Sequence, residues 1–269
     1  MAADTLEAGA GNGRGASWER RRDGLRTYFD RTAVAAWERL TTDAPVSGVR
    51  AKVRAGRDAT RACLLDWLPA DMRGMRLLDA GCGTGALAVE AAERGAEVLG
   101  IDLSPTLVEV ARTRLPAALE DRIAFVAGDM LGVEAAARAA GIAPDADGRV
   151  RFDAIVAMDS LIHYEAADAV DALGALAGSL RELVPGDAPE RAPRMLFTFA
   201  PATPLLVAMK AAGKLFPERD RSPAIAPVAE ARLRAGIGAE ARLAELEVGR
   251  TRRISVPFYV SQPMELARR

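Results

Sequence analysis

Three aspartates each close an apolar run, and a glycine-rich turn lies between the first and the second. Asp79 follows Leu77-Leu78 and precedes Ala80-Gly81-Cys82-Gly83-Thr84-Gly85. Asp102 closes Val98-Leu99-Gly100-Ile101, and Asp129 closes Ile123-Ala124-Phe125-Val126-Ala127-Gly128. Glycines at 81, 83 and 85 let the backbone turn sharply and lie flush against a ligand that a Cβ would exclude, as where a buried strand meets a helix at a nucleotide site. Ala86 to Ala92 then reads as a helix of strong helix formers.

The same letters satisfy G-x-G-x-x-G/A with Ala86 in the last place, so the glycines alone do not name the ligand. The acids discriminate. A carboxylate two residues before the first glycine repels a pyrophosphate and attracts an amine. Asp102, seventeen residues past Gly85, stands where a carboxylate takes two ribose hydroxyls. Asp129 is placed to accept from an adenine amino group. Amine, ribose and adenine in that order describe S-adenosylmethionine, and three acids at consistent spacing are poorly explained as solvated strand ends. A nicotinamide cofactor is the competing reading, disfavoured by Asp79 and Asp129.

At 269 residues the chain suits one α/β domain with appendages better than two independent domains. From Met75 to about Ala200 strands alternate with helices, which predicts a parallel sheet with right-handed crossovers. Phe152 to Asp159 is the fourth strand and Met195 to Phe199 the fifth. Leu243 to Val248 and Ile254 to Leu266 supply the last two, the final one antiparallel, with Pro257 and Pro263 predicting a bulge or an early end. The expected fold is a Rossmann-like α/β domain: a seven-stranded, mostly parallel sheet with helices on both faces. Residues 1–17 read as a disordered tail. Residues 18–70 form an aromatic-rich helical cap, interrupted at Pro45-Val46-Ser47-Gly48, where part of an acceptor pocket is expected. Residues 71–269 form the cofactor domain, with an insertion at about 201–230. Ala135 to Gly148 reads as a surface extension without chemistry. Leu205 to Phe216, in the insertion, has an apolar face and two lysines; a helix packed on the core is preferred to one lying on a membrane, and a lid over an apolar substrate fits either.

Thirty-six basic against thirty-seven acidic residues argue against a nucleic-acid partner. Arg20-Arg21-Arg22 and Arg250 to Arg253 read as solvated faces. Cys63 and Cys82 have no metal-site or disulfide spacing, which fits a reducing, cytoplasmic setting. No run approaches the roughly 18 apolar residues of a membrane span, and the N-terminus lacks a signal pattern; peripheral membrane contact stays open. No carboxylate cluster is spaced for a free metal, which disfavours metal-dependent catechol-type chemistry.

In an open α/β sheet the ligand crevice lies beyond the carboxyl ends of the strands, so Asp159-Ser160-Leu161-Ile162-His163-Tyr164 should face the transferred group. His163 is the chain's single histidine, and its position favours a functional role.

L-L-D-A-G-C-G-T-G, G-I-D-L-S and A-G-D-M resemble the first three motifs of the class I methyltransferases. Further segments resemble the magnesium-protoporphyrin IX O-methyltransferases of chlorophyll and bacteriochlorophyll synthesis: Tyr28-Phe29-Asp30-Arg31-Thr32, Arg39 to Ser47, Val53 to Arg57, Met158 to Tyr164, Phe216-Pro217 with Asp220 to Pro223, and Phe258 to Gln262. The likeness runs from about residue 26 to 266 and departs at the long Ala135–Gly148 extension and at Pro257 and Pro263. It implies a donor site of Asp79, Gly81, Cys82, Gly83, Gly85, Asp102, Leu103, Ser104, Asp129, Met130 and Met158 for S-adenosylmethionine. It also implies methyl transfer to a propionate of magnesium protoporphyrin IX, with magnesium present only in that substrate. Tyr28 and His163 are implied at the acceptor, hydrogen-bonded to the reacting carboxylate, and His163 could take a proton from a buried acid. Arg26, Arg31 and Arg39 are candidates for the second propionate and the macrocycle edge, and the magnesium chelatase large subunit is an implied partner. Rival readings are a methyltransferase for a quinone or amine, and a non-catalytic tetrapyrrole carrier.

Overall fold

The computed structural model describes residues 16–28, 48–204, 206 and 225–268. Most of the predicted tail and of the insertion, together with Arg31, Arg39 and the stretch joining the two cap helices, lies outside the described residues.

Two helices precede the sheet, α1 (Ala16–Tyr28) and α2 (Gly48–Asp66). The core then alternates: β1 (Arg76–Ala80), α3 (Ala86–Glu93), β2 (Glu97–Asp102), α4 (Pro105–Thr113), β3 (Ile123–Ala127), α5 (Val133–Ala139), β4 (Ala154–Ala157), α6 (Ala166–Ala177) and β5 (Arg194–Phe199). After α7 (Glu230–Ala239) come β6 (Leu246–Thr251), β7 (Ile254–Val256) and β8 (Tyr259–Arg268). The strand order is β3-β2-β1-β4-β5-β8-β6, with β7 paired to β8. β1 to β5 pair in parallel, and β8 runs antiparallel between β5 and β6. The winding therefore reverses between β1 and β4, which opens a crevice at their carboxyl ends.

The central strands are buried on both faces, and alternate residues divide between two cores. Leu77, Val98, Phe125, Val156 and Leu196 face the side covered by α3 and the end of α2. Leu78, Leu99, Ile155, Met195, Phe197 and Leu266 face the side covered by α5, α6 and α7. A strand buried on both faces needs the near-continuous apolar runs that this sequence supplies.

Among the described residues the sheet has eight strands where seven are expected. The predicted last strand is split: Pro257 and Phe258 form the turn of a β7–β8 hairpin, Val256 pairing with Tyr259, and Phe258 takes φ 69°. Pro263 neither ends β8 nor bulges it. It pairs with Thr198 of β5, while the register shift falls on β6 between Val248 and Thr251. Strand interiors reject proline for its missing donor; here Pro263 contributes as an acceptor, its carbonyl taking the Arg252 N–H at 3.1 Å. The extension at 135–148 is also only partly a surface loop, because α5 buries Val133, Ala136 and Ala137.

Phe125 ties the core to the glycine turn. Its ring fills space that a Cβ on Gly85 or Gly100 would enter, at 2.5 and 2.6 Å respectively. Phe125→Ala should therefore destabilise the domain by about 3–5 kcal/mol, the range for emptying a buried aromatic site. Urea unfolding checks this, and a loss below about 1 kcal/mol would contradict the role given to the ring.

Candidate active site

The turn after β1 is built by backbone. Gly81 N–H and Cys82 N–H both donate to the carbonyl of Ile101, at 2.8 and 3.0 Å, which fastens the turn to the end of β2. Gly81 has φ 91°, a conformation that costs glycine little and L side chains much. A Cβ there would also lie 2.5 Å from Cβ of Ser160. Ser160 Oγ donates to the Ala80 carbonyl at 2.8 Å. The segment after β4 thus lies directly on the glycine turn, and a short 3-10 helix, Leu161–His163, continues from it.

The three acids are held in distinct ways. Asp102 accepts from Gly83 N–H at 2.8 Å and from Ser104 N–H at 2.9 Å, which orients a carboxylate whose oxygens can each accept more than one hydrogen bond. Asp129 accepts from Leu131 N–H at 2.9 Å and meets Arg22 Nη1 at 3.4 Å. Asp79 is 2 % exposed, and its Oδ2 has no hydrogen-bond partner among the described residues. Burial first, and Asp102 second, push its carboxyl up to about 7, with a backbone hydrogen bond from Ala88 offsetting part of the shift. A buried carboxylate oxygen lacking a donor fits a ligand that brings an ammonium group.

Cys82 is buried, and burial, with Asp102 and Asp79 nearby, raises its thiol, so it packs as an inert small group. Leu103 is half-buried beyond Asp102. Ser104 is fully buried and caps α4, accepting from Leu107 N–H at 3.2 Å. Met130 belongs to one core, and Met158 packs at the edge of the other.

On the acceptor side His163 is 9 % exposed. Helix α1 reaches across the crevice to it: Arg21 donates to the His163 carbonyl, Arg22 pairs with Asp129, and Leu25 is buried in the same core as Met130, Leu161 and Tyr164. Tyr28 ends α1, three residues after Leu25. Arg26 is exposed on the same helix. The reading of the first arginine cluster as solvated is corrected for Arg21 and Arg22, which join the cap to the crevice; Arg250, Arg252 and Arg253 are exposed as expected, although Arg250 also pairs with buried Glu265 and Arg253 donates to Gln262 at 3.1 Å.

From the sequence Asp159 is expected only as the first residue of the segment facing the transferred group, and Arg57 and Tyr259 only within segments that carry the family likeness; none is given a role of its own. Arg57 Nη1 lies 3.1 Å from Asp159 Oδ2, and the Tyr259 hydroxyl donates to the same oxygen at 3.1 Å. The signal was present, for Asp159 also closes an apolar strand as the other three acids do.

A family described as "Magnesium-protoporphyrin IX methyltransferase C-terminus" matches residues 157–268, and a general "Methyltransferase domain" matches residues 77–182. The chain is 41 % identical to a magnesium-protoporphyrin O-methyltransferase of Rhodobacter capsulatus over 245 residues, which is 91 % of this chain and 95 % of the relative. It is 29 % identical to a protein of the same name from Synechocystis, again over 91 % and 95 % of the two chains. A crystal structure of magnesium protoporphyrin IX methyltransferase from Synechocystis with bound SAH superposes with a TM-score of 0.73 at 26 % identity, covering 92 % of this chain and all of that one.

The state of Asp79 gives a test of the donor site. Its ordinary value is 3.8 and its folded value about 7, so the folded protein holds this proton longer than the unfolded one. Its contribution to stability is therefore present in acid and is lost as pH rises from about 4 to about 7. A bound ammonium reverses the preference and expels the proton. S-adenosylmethionine binding near pH 6 should release close to one proton, falling to almost none above about pH 8.5. Calorimetry in buffers of differing ionisation heat measures this; release that is absent throughout, or unchanged in Asp79→Asn, would contradict the assignment.

Proposed function

The chain belongs to the magnesium-protoporphyrin IX methyltransferase family, and from that premise we propose how its crevice works. It is an S-adenosyl-L-methionine-dependent O-methyltransferase that esterifies a propionate carboxylate of magnesium protoporphyrin IX, in chlorophyll or bacteriochlorophyll biosynthesis. The observation that carries the site reading is the contact of Ser160 with Gly81, which sets the acceptor segment on the donor's turn. Asp79 holds the donor's amine, Asp102 its ribose hydroxyls and Asp129 its adenine, with the turn from Gly81 through Cys82 and Gly83 to Gly85 as the cradle. Leu103, Ser104, Met130 and Met158 support these groups.

When bound, S-adenosylmethionine supplies a methyl carbon made electrophilic by an adjoining sulfonium. The rest is the work of the protein. A carboxylate with an ordinary pKa of about 4 is ionised at neutral pH, so the task is alignment more than deprotonation. Holding the carboxylate oxygen in line with the methyl carbon at roughly 3 Å can contribute several kcal/mol. Attack of an anion on a cationic centre disperses charge, and a dry crevice favours it. Leu161 and Tyr164, both 2 % exposed, line the loop that carries His163 and help keep water out. His163 and Tyr28 hydrogen-bond the reacting propionate, His163 taking a proton where the acid arrives protonated.

Arg26, Arg31 and Arg39 are the proposed partners of the second propionate. Docking of the magnesium chelatase large subunit belongs to the same proposal and rests on the family resemblance, whereas peripheral contact with a membrane is the alternative the sequence leaves open for the Leu205 to Phe216 segment. No helix among the described residues is long and apolar enough to cross a membrane.

With a labelled methyl donor, magnesium protoporphyrin IX should be esterified and its metal-free form should compete poorly. His163→Ala should slow turnover at least about tenfold, and as much as the 10² to 10⁴ typical of proton-transfer groups, while S-adenosylmethionine affinity stays within about twofold. Steady-state rates with donor titrations check this, and normal methylation by that variant would refute the assignment of His163.

A further inference from the structure

Asp159 sits where the chain leaves β4 and turns toward Ser160 and His163. Its backbone has φ 54°, a left-handed conformation that a non-glycine residue keeps only where its surroundings hold it. They do so from three elements, α2, β5 and β8. The side chain, 4 % exposed, is paired with Arg57 of α2 at 3.1 Å. The Tyr259 hydroxyl donates to its two oxygens at 3.1 and 3.2 Å. Hydroxyls of Ser261 and Thr198 each lie 3.3 Å from Oδ1. Thr198 Oγ1 also accepts the N–H of Asp159 itself at 2.7 Å.

The anchors are as fixed as their centre. Thr198 and Thr60 are fully buried, and the Tyr259 hydroxyl lies 3.0 Å from Thr60 Oγ1. The Tyr259 ring occupies the space beside Gly56, where a Cβ would fall 2.3 Å from Cδ1. Burial and the Asp159 carboxylate both raise the Tyr259 phenol, which therefore stays a hydrogen-bond donor.

A buried ion pair is a poor source of net stability, since desolvation offsets much of its attraction. Joined to a strained backbone, such a pair is better explained by the geometry it fixes. That geometry is the exit angle of β4, which decides where Ser160 meets Gly81 and where the 3-10 turn of His163 begins. We propose that Asp159, anchored by Arg57 and Tyr259, is the positioning residue of the acceptor segment and acts on methyl transfer through His163. The cap helix α2, the end of β4 and the β7–β8 hairpin are thereby coupled to one imidazole. This inference rests on the role given to His163 above.

The test is a double-mutant cycle on the full chain with magnesium protoporphyrin IX, using Asp159→Asn, His163→Ala and the pair, beside hydrogen exchange of amides 160–164. Asp159→Asn should lower kcat about tenfold with the S-adenosylmethionine KM within about twofold, and exchange in 160–164 should quicken. The double variant should be no slower than His163→Ala alone, as expected for residues acting as one unit. Tyr259→Phe keeps the charge pair, and should show the same split with a smaller loss; it carries the test if Asp159→Asn does not fold. Normal kcat in a folded Asp159→Asn, or losses that multiply in the double variant, would overturn the proposal and leave His163 in place. Full activity in His163→Ala would overturn both.

Discussion

Ser160 lies on the backbone of Gly81 and donates its hydroxyl to the Ala80 carbonyl at 2.8 Å, a contact possible only because residue 81 carries no side chain. The fold makes this meeting available by reversing its winding between β1 and β4, so that two loops leave neighbouring strands in the same direction. One loop is the glycine turn proposed for the methyl donor, and the other bears His163. A two-substrate displacement needs both reactants held within a fraction of an ångström, and this glycine joins the parts that do so.

Electrostatics leaves one buried group beside the glycine turn uncompensated. Asp79 is sealed from water, and Asp102 stands close enough to disfavour its charge further. Evolution towards stability alone would replace such a carboxylate with an amide or an apolar group. Its presence fits an ammonium group that completes it. Helix α1 adds charge of opposite sign: Arg21 reaches the His163 carbonyl and Arg22 reaches Asp129, so the cap touches the loops after β3 and β4 at once.

The parallel core was legible because its strands are near-continuous apolar runs closed by acids, and the glycine turn with its neighbouring acids was legible because it lies within short motifs. What escaped the sequence was long-range. Pro257 and Pro263 look alike in a strand, yet one occupies a hairpin turn and the other a paired position where only its carbonyl is needed. Arg21 and Arg22 look like a solvated basic run until α1 is laid across the crevice. Asp159 carries the same local signature as Asp79, Asp102 and Asp129, but its partners Arg57 and Tyr259 are about a hundred residues away on either side, and no local pattern specifies that pairing.

The most direct measurement is a crystal structure of the ternary complex with S-adenosylhomocysteine and magnesium protoporphyrin IX. The account places one propionate oxygen within hydrogen-bond reach of the His163 ring, about 2.6–3.2 Å, on the side facing the donor sulfur, with the homocysteine ammonium on Asp79. A macrocycle seated with both propionates away from His163, or an amino group lodged elsewhere than at Asp79, would contradict it.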